Sequence, residues 1–183
     1  YTLYFAMRRQ LLRASIGVGT RGSVRLIESP ATASPVAFGV FDKVIALPEG
    51  FMANTEKTRR DLALEHELAH HRAHDLLVNA LVQPLFALHW FNPLVWWLRG
   101  RLMAQCEFAC DAKVIEVGAD PANYATALCD VAESSTLPRA ALAMAGRASL
   151  RERVERVVCR QRSSGSLLVS AALLLTITAS LAL

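Results

Sequence analysis

Apolar positions along this chain follow two rhythms. In the first third they come in short β-prone runs, Val24–Ile27, Val36–Phe41 and Val44–Leu47, bounded by Pro30, Pro35, Asp42 and Pro48. Gly17 to Gly22 punctuates the chain ahead of them. The runs predict a small antiparallel sheet, with Asp42-Lys43 at a hairpin turn that lacks the glycine favouring a tight one. One edge strand is expected either to pair an extended peptide or to serve as plain scaffolding. From Asn54 onward the rhythm becomes helical. Asn54 or Thr55 is expected to cap a helix with Glu56 in its first turn. That helix carries Leu62, His66, Glu67 and His70, then His71, His74 and Asp75.

From Leu76 to Leu98 the chain is apolar and about one bilayer span long, with His89 as its one titrating group. Both flanks are basic, Arg72 before and Arg99 and Arg101 after, so both ends prefer the same side of a membrane. Asn92-Pro93 is a helix-start signal and cuts the run into two helical arms. His89, Trp90, Phe91, Trp96 and Trp97 crowd the bend as amphipathic rings do at an interface. A hairpin that dips into a membrane or lies on its face is expected; the alternative is a buried hairpin in a soluble core. Further on, Asp120-Pro121 opens a helix carrying Tyr124, Ala127, Leu128 and Val131. Ser149 to Glu152 has capping-box spacing, followed by Val154, Val157 and Val158 with Arg151, Arg153, Arg156 and Arg160 interspersed. The uncharged run Leu167–Leu183 reads as a transmembrane helix leaving the cytoplasm.

Composition sharpens this picture. The 183 residues are 53% hydrophobic with mean hydropathy +0.28, which suggests membrane association. A net charge of +4 and pI near 9.1 raise the question of nucleic acid. The arginines, however, flank apolar runs as cytoplasmic loops do, so no direct nucleic-acid partner is expected. Cys106, Cys110, Cys129 and Cys159 form no CxxC pair or secreted framework, which fits a reducing compartment.

The chemistry centres on His66-Glu67-Leu68-Ala69-His70, an HExxH sequence inside a helix. Histidines four apart share one helical face, so both imidazoles can reach one cation. Zinc suits such a site because three protein ligands leave one position open, where bound water is acidified. Glu67 is placed to act on that water as general base. A histidine third ligand needs HExxHxxGxxH, and Ala73 and Leu76 stand where that pattern requires glycine and histidine. His71 and His74 are therefore expected at the surface or behind the ligands. Glu107 is the expected third ligand. Asp111, four residues on and on the same face, is expected to accept a hydrogen bond from the far nitrogen of a ligand histidine. Cys106 and Cys110 read as small core residues, and Tyr124 as a structural tyrosine or an oxyanion donor.

HELAHH, Leu88–Trp96 and Glu107–Ala112, in that order, resemble the BlaR/MecR-type membrane zinc metallopeptidases, a gluzincin-like family. Ser34–Phe41 and Leu47-Pro48-Glu49 are similar to the family's segment before the zinc helix, and the likeness runs from Val24 to Arg160. The resemblance implies zinc on His66, His70 and Glu107, with Glu67 catalytic. It implies signal transduction across the bacterial cytoplasmic membrane, the active site facing the cytoplasm. Family members known as β-lactam sensors carry an extracellular penicillin-binding domain and end in inactivation of a DNA-bound repressor. This chain shows no SxxK acylation motif. The expected protein substrate is such a repressor or the chain itself. A non-proteolytic transducer and a general membrane quality-control protease are the alternatives.

The expected architecture is mainly α with a small antiparallel sheet (α+β). Residues 1–19 would end a preceding transmembrane helix, within a longer parent protein. Residues 20–163 would form the metallopeptidase domain with its membrane-dipping hairpin at 76–98, and 164–183 a transmembrane helix.

Overall fold

Four strands form one sheet: β1 (Ile16–Arg21), β2 (Val24–Glu28), β3 (Val36–Phe38) and β4 (Val44–Leu47), in the order β1-β2-β4-β3. They belong to a computed structural model that describes residues 9–13, 15–134 and 147–159. The expected segments at 1–7 and 164–183 lie outside the described residues.

The sheet is mixed, which corrects the expected antiparallel one. β1 pairs antiparallel to β2 and β3 antiparallel to β4, but β2 and β4 run parallel. The reason is the burial of β4, whose four side chains are all inaccessible. Val44 and Ala46 pack with Leu11, Ile27 and Phe38 on one face. Ile45 and Leu47 pack with Val24, Leu26, Leu64 and Leu68 on the other. A strand apolar on both sides belongs in the middle of a sheet, so the chain runs out to the edge as β3 and turns back into the slot beside β2.

Two further differences concern strand limits. β1 occupies the glycine-rich stretch read as punctuation and crosses the expected boundary at residue 19. Its side chains are largely exposed, which removes the apolar alternation that marks a strand. β3 stops at Phe38, because Gly39 adopts φ 85° and Phe41 is 96% exposed beyond it. A Cβ at Gly39 would overlap the Asp42 carbonyl, so this residue supplies the turn glycine missing from Asp42-Lys43.

The helices are α1 (Phe51–Asn54), α2 (Lys57–Ala73), α3 (Asp75–Leu88), α4 (Pro93–Glu116), α5 (Pro121–Ser134) and α6 (Arg147–Cys159). α2 is capped at Glu56 rather than at Asn54 or Thr55. It packs its Leu64 and Leu68 on the sheet, which fixes the orientation of the HExxH face. Val114, Tyr124, Ala125 and Val157 form a second core joining α4, α5 and α6. α6 begins two residues before the expected cap, so Ser149 lies inside it.

The apolar run 76–98 is divided where expected. α3 ends at Leu88, residues 89–91 turn, and Asn92 caps α4 by accepting from the Leu94 N–H at 2.9 Å, with Pro93 in the first position. Leu88, Trp90, Phe91, Leu94, Trp96 and Trp97 are exposed at this turn, where no described residue covers them. Among the described residues no helix is long and apolar enough to cross a membrane.

Candidate metal centre

α2 and α4 bring His66, His70 and Glu107 together. His66 Nε2 lies 3.4 Å from Glu107 Oε2, and His70 Nε2 lies 3.5 Å from Glu107 Oε1. One ligand atom from each of the three falls within 4.8 Å of the others. Tetrahedral bonds of 2.0–2.1 Å place neighbouring ligand atoms about 3.3 Å apart, so the set fits a small divalent cation.

Each histidine is oriented from behind. His70 Nδ1–H donates to Asp75 Oδ2 at 2.8 Å. His66 Nδ1–H donates to the Tyr124 hydroxyl oxygen at 2.8 Å, and that hydroxyl donates to Asp111 Oδ1 at 2.7 Å. With both Nδ1 protons committed in this way, both Nε2 lone pairs turn toward Glu107. Asp111 itself stands 3.3 Å from His66 Nδ1, beside the histidine it was expected to support.

The third support is Arg153 of α6. Its Nε and Nη2 donate to the two oxygens of Asp111 at 2.8 Å each, and Nη1 pairs with Glu107 Oε2 at 2.9 Å. Burial works against a charged Asp111, but His66 and Arg153 outweigh it and hold the carboxyl down to about 2. The same contest, settled by His66 and Arg153, lowers Glu107. His66 is likewise opposed by burial, yet Asp111 and Glu107 push it up to about 9. Negative potential that favours a proton on Nε2 equally favours a metal cation there.

Glu67 lies beside the cluster, against the sheet. Its Oε2 accepts from the Ala37 N–H of β3 at 2.6 Å, a donor turned away from β4 along the free edge. Burial raises its pKa, opposed by His66 and His70. An open cleft of about 1060 Å³ runs past Val36 and Ala37, Glu67, the two histidines, Glu107 and Arg153. The strand edge, base and cluster therefore share one trough.

Several expected neighbours take other roles. His71 is buried and its Nε2–H donates to the Val44 carbonyl at 3.1 Å, tying α2 to β4 rather than facing the cluster or solvent. His74 is exposed and adopts φ 59°, the left-handed joint between α2 and α3. Tyr124 is 2% exposed with its proton on Asp111, so it is no oxyanion donor. Cys110 is buried as expected, but its Sγ lies 3.3 Å from His70 Nδ1 and donates to Asp75 at 3.4 Å. Burial and Asp75 push both thiols up, Cys106 to about 12, so they remain protonated donors.

Sequence reasoning missed Asp75 and Arg153. The left-handed joint at His74 folds Asp75 back beside His70, which a continuous helix would not do. Arg153 was readable from its spacing: it lies four residues before Val157, on the face that α6 buries.

Comparison with known proteins gives the family. The family model described as BlaR1 peptidase M56 matches residues 5–157. The chain is similar to "Regulatory protein BlaR1" of Bacillus licheniformis, 36% identical over 93 residues, which is 51% of this chain and 15% of that protein. It is similar to "Methicillin resistance mecR1 protein" of Staphylococcus aureus (strain Mu50 / ATCC 700699), 29% identical over 84 residues, or 46% of this chain and 14% of that one. The Staphylococcus epidermidis protein of the same name matches to the same extent. The matched stretch is thus a small part of either relative's length. With the match spanning the strand edge, the HExxH helix, Glu107 and Arg153, the chain belongs to the BlaR1 peptidase M56 family.

Proposed function

We propose that this chain is the zinc-dependent endopeptidase module of a BlaR/MecR-like signal transducer in a bacterial cytoplasmic membrane, with its cleft facing the cytoplasm. The observation that carries the reading is the convergence of His66 Nε2, His70 Nε2 and Glu107, each histidine held from behind by an acceptor. His66, His70 and Glu107 would hold zinc, with Asp111 and Asp75 behind them. When bound, zinc supplies an acidified water and polarises a peptide carbonyl.

The chain's own residues do the rest. The outer edge of β3, whose Ala37 N–H is bonded to Glu67, receives an extended protein segment in place of that carboxylate, which is how an exposed strand recognises a peptide without reading one sequence. Glu67 takes a proton at its carboxylate and passes it to the leaving amine. Its raised pKa moves it toward the range in which a carboxylate exchanges protons near neutrality. The substrate is a protein, either a DNA-bound repressor or the chain itself, and the chain makes no direct contact with nucleic acid.

Support for membrane contact comes from the α3–α4 turn. Its aromatic side chains are exposed while its polar groups are bonded internally: Trp96 Nε1–H donates to the Trp90 carbonyl at 2.6 Å and His89 Nδ1–H to the Leu85 carbonyl at 3.0 Å. Such a turn enters lipid with few unpaired donors. Arg99 and Arg101 follow it at headgroup level.

The test is Glu67→Gln. Denatured casein cleavage should fall by roughly 10²–10⁴-fold, a general base's contribution, while bound zinc stays at the wild-type level. Undiminished cleavage by this variant would remove Glu67 from the chemistry.

A further inference from the structure

Glu67 accounts for the proton but leaves open what receives the negative charge that develops on the carbonyl oxygen. Tyr124 is excluded, since its hydroxyl proton is committed to Asp111. Arg59, another cation lining the cleft, is paired with Asp130 at 2.7 Å. Arg153 remains. A guanidinium carries five N–H bonds in a fixed plane. Two reach Asp111, one reaches Glu107 and the second on Nη2 is turned to His66, which leaves one on Nη1. Nη2 lies 3.5 Å from His66 Nε2, beside the atoms that would face the cation. The bonds already made fix the plane, so the remaining Nη1 donor needs no reorganisation when charge appears.

Glu67 lies against β3, whereas Arg153 comes from α6. The cleft therefore carries a base on its strand side and a fixed cation on its α6 side, with His66, His70 and Glu107 between. We infer that Arg153 is a catalytic residue that donates to the scissile carbonyl oxygen as it becomes an oxyanion. The inference rests on the metallopeptidase reading above and adds the missing electrophile. Lysine would not replace it fully, because a point charge cannot hold Asp111 with two bonds and still present a free N–H at a set angle.

The test uses the full chain loaded with cobalt(II), whose visible absorption reports its ligands, and inorganic phosphate as the anion probe. Arg153→Gln removes a support of Glu107 and Asp111, so its cobalt affinity should fall about 10–100-fold, and phosphate binding is compared with every variant saturated in cobalt. It should then weaken phosphate binding about tenfold, the loss of one charge-assisted hydrogen bond. Its kcat on denatured casein should drop about 10²-fold with KM little changed. Arg153→Lys keeps the charge if the glutamine variant does not fold; it should show a smaller loss in both readouts. An unchanged phosphate affinity in both variants overturns the inference. So does a loss of phosphate affinity no larger than that of cobalt-saturated Tyr124→Phe, which disturbs the same Asp111 and His66; that would reduce Arg153 to holding Glu107 and Asp111. Wild type that binds no cobalt overturns the parent reading as well; active wild type with inactive Glu67→Gln and normal Arg153→Gln overturns this inference alone.

Discussion

The two ends of α4 break opposite rules. At Glu107 and Asp111 the helix carries acids to the floor of the cleft, where Arg153, Tyr124 and the histidines pair them. At its start it carries Leu94, Trp96 and Trp97 out to the surface, where no described residue covers them. Charged groups are ordinarily outside and large aromatic clusters inside. The difference teaches that burial follows available partners rather than residue type alone. The inner end meets counter-charges from its neighbours, while the outer end meets no apolar cover among the described residues.

Breaking the inner end should have the largest effect on stability. Asp111→Ala leaves Arg153 buried with half its partners removed, and truncating one member of such a pair costs about 3–5 kcal/mol. Urea unfolding should report that loss together with failure to retain zinc. Tyr124→Phe is milder. It removes the hydroxyl between His66 and Asp111, which should cost about 1–2 kcal/mol. Zinc affinity, measured by chelator competition, should fall about 10–100-fold as His66 loses its orientation.

The outer end should answer in the opposite way. Trp90→Ser should alter unfolding free energy by no more than about 0.5 kcal/mol, as expected of an exposed side chain. Because Trp90, Trp96 and Trp97 are the chain's three tryptophans, fluorescence reads this turn directly. In vesicles of brominated phospholipid the wild-type emission should be quenched; unquenched emission would count against lipid contact.

The same contrast explains what could be read from the sequence. That His66 and His70 share one face, and Glu107 and Asp111 another, was legible because helical spacing puts residues four apart together. The hairpin was legible because Asn92-Pro93 starts a helix wherever it lands. Sheet order was not, since apolar runs mark where strands are but not which lie side by side; the parallel β2–β4 pair follows from tertiary burial of β4. β1 escaped because an exposed strand with three of its neighbouring positions in glycine has no alternation to read. Asp75 and Arg153 escaped because their partners lie on other elements, through a helix break in one case and a third helix in the other.

The joint at His74 has a mechanical consequence. α3 is fourteen residues of helix, about 20 Å at the usual rise. Its near end is Asp75, hydrogen-bonded to His70, and its far end opens on the tryptophan turn. A single left-handed residue separates this rod from the helix that carries both imidazoles. Tilting the far end pivots the near carboxylate about His74, so the position of the tryptophan turn and the alignment of one imidazole are two readings of the same lever.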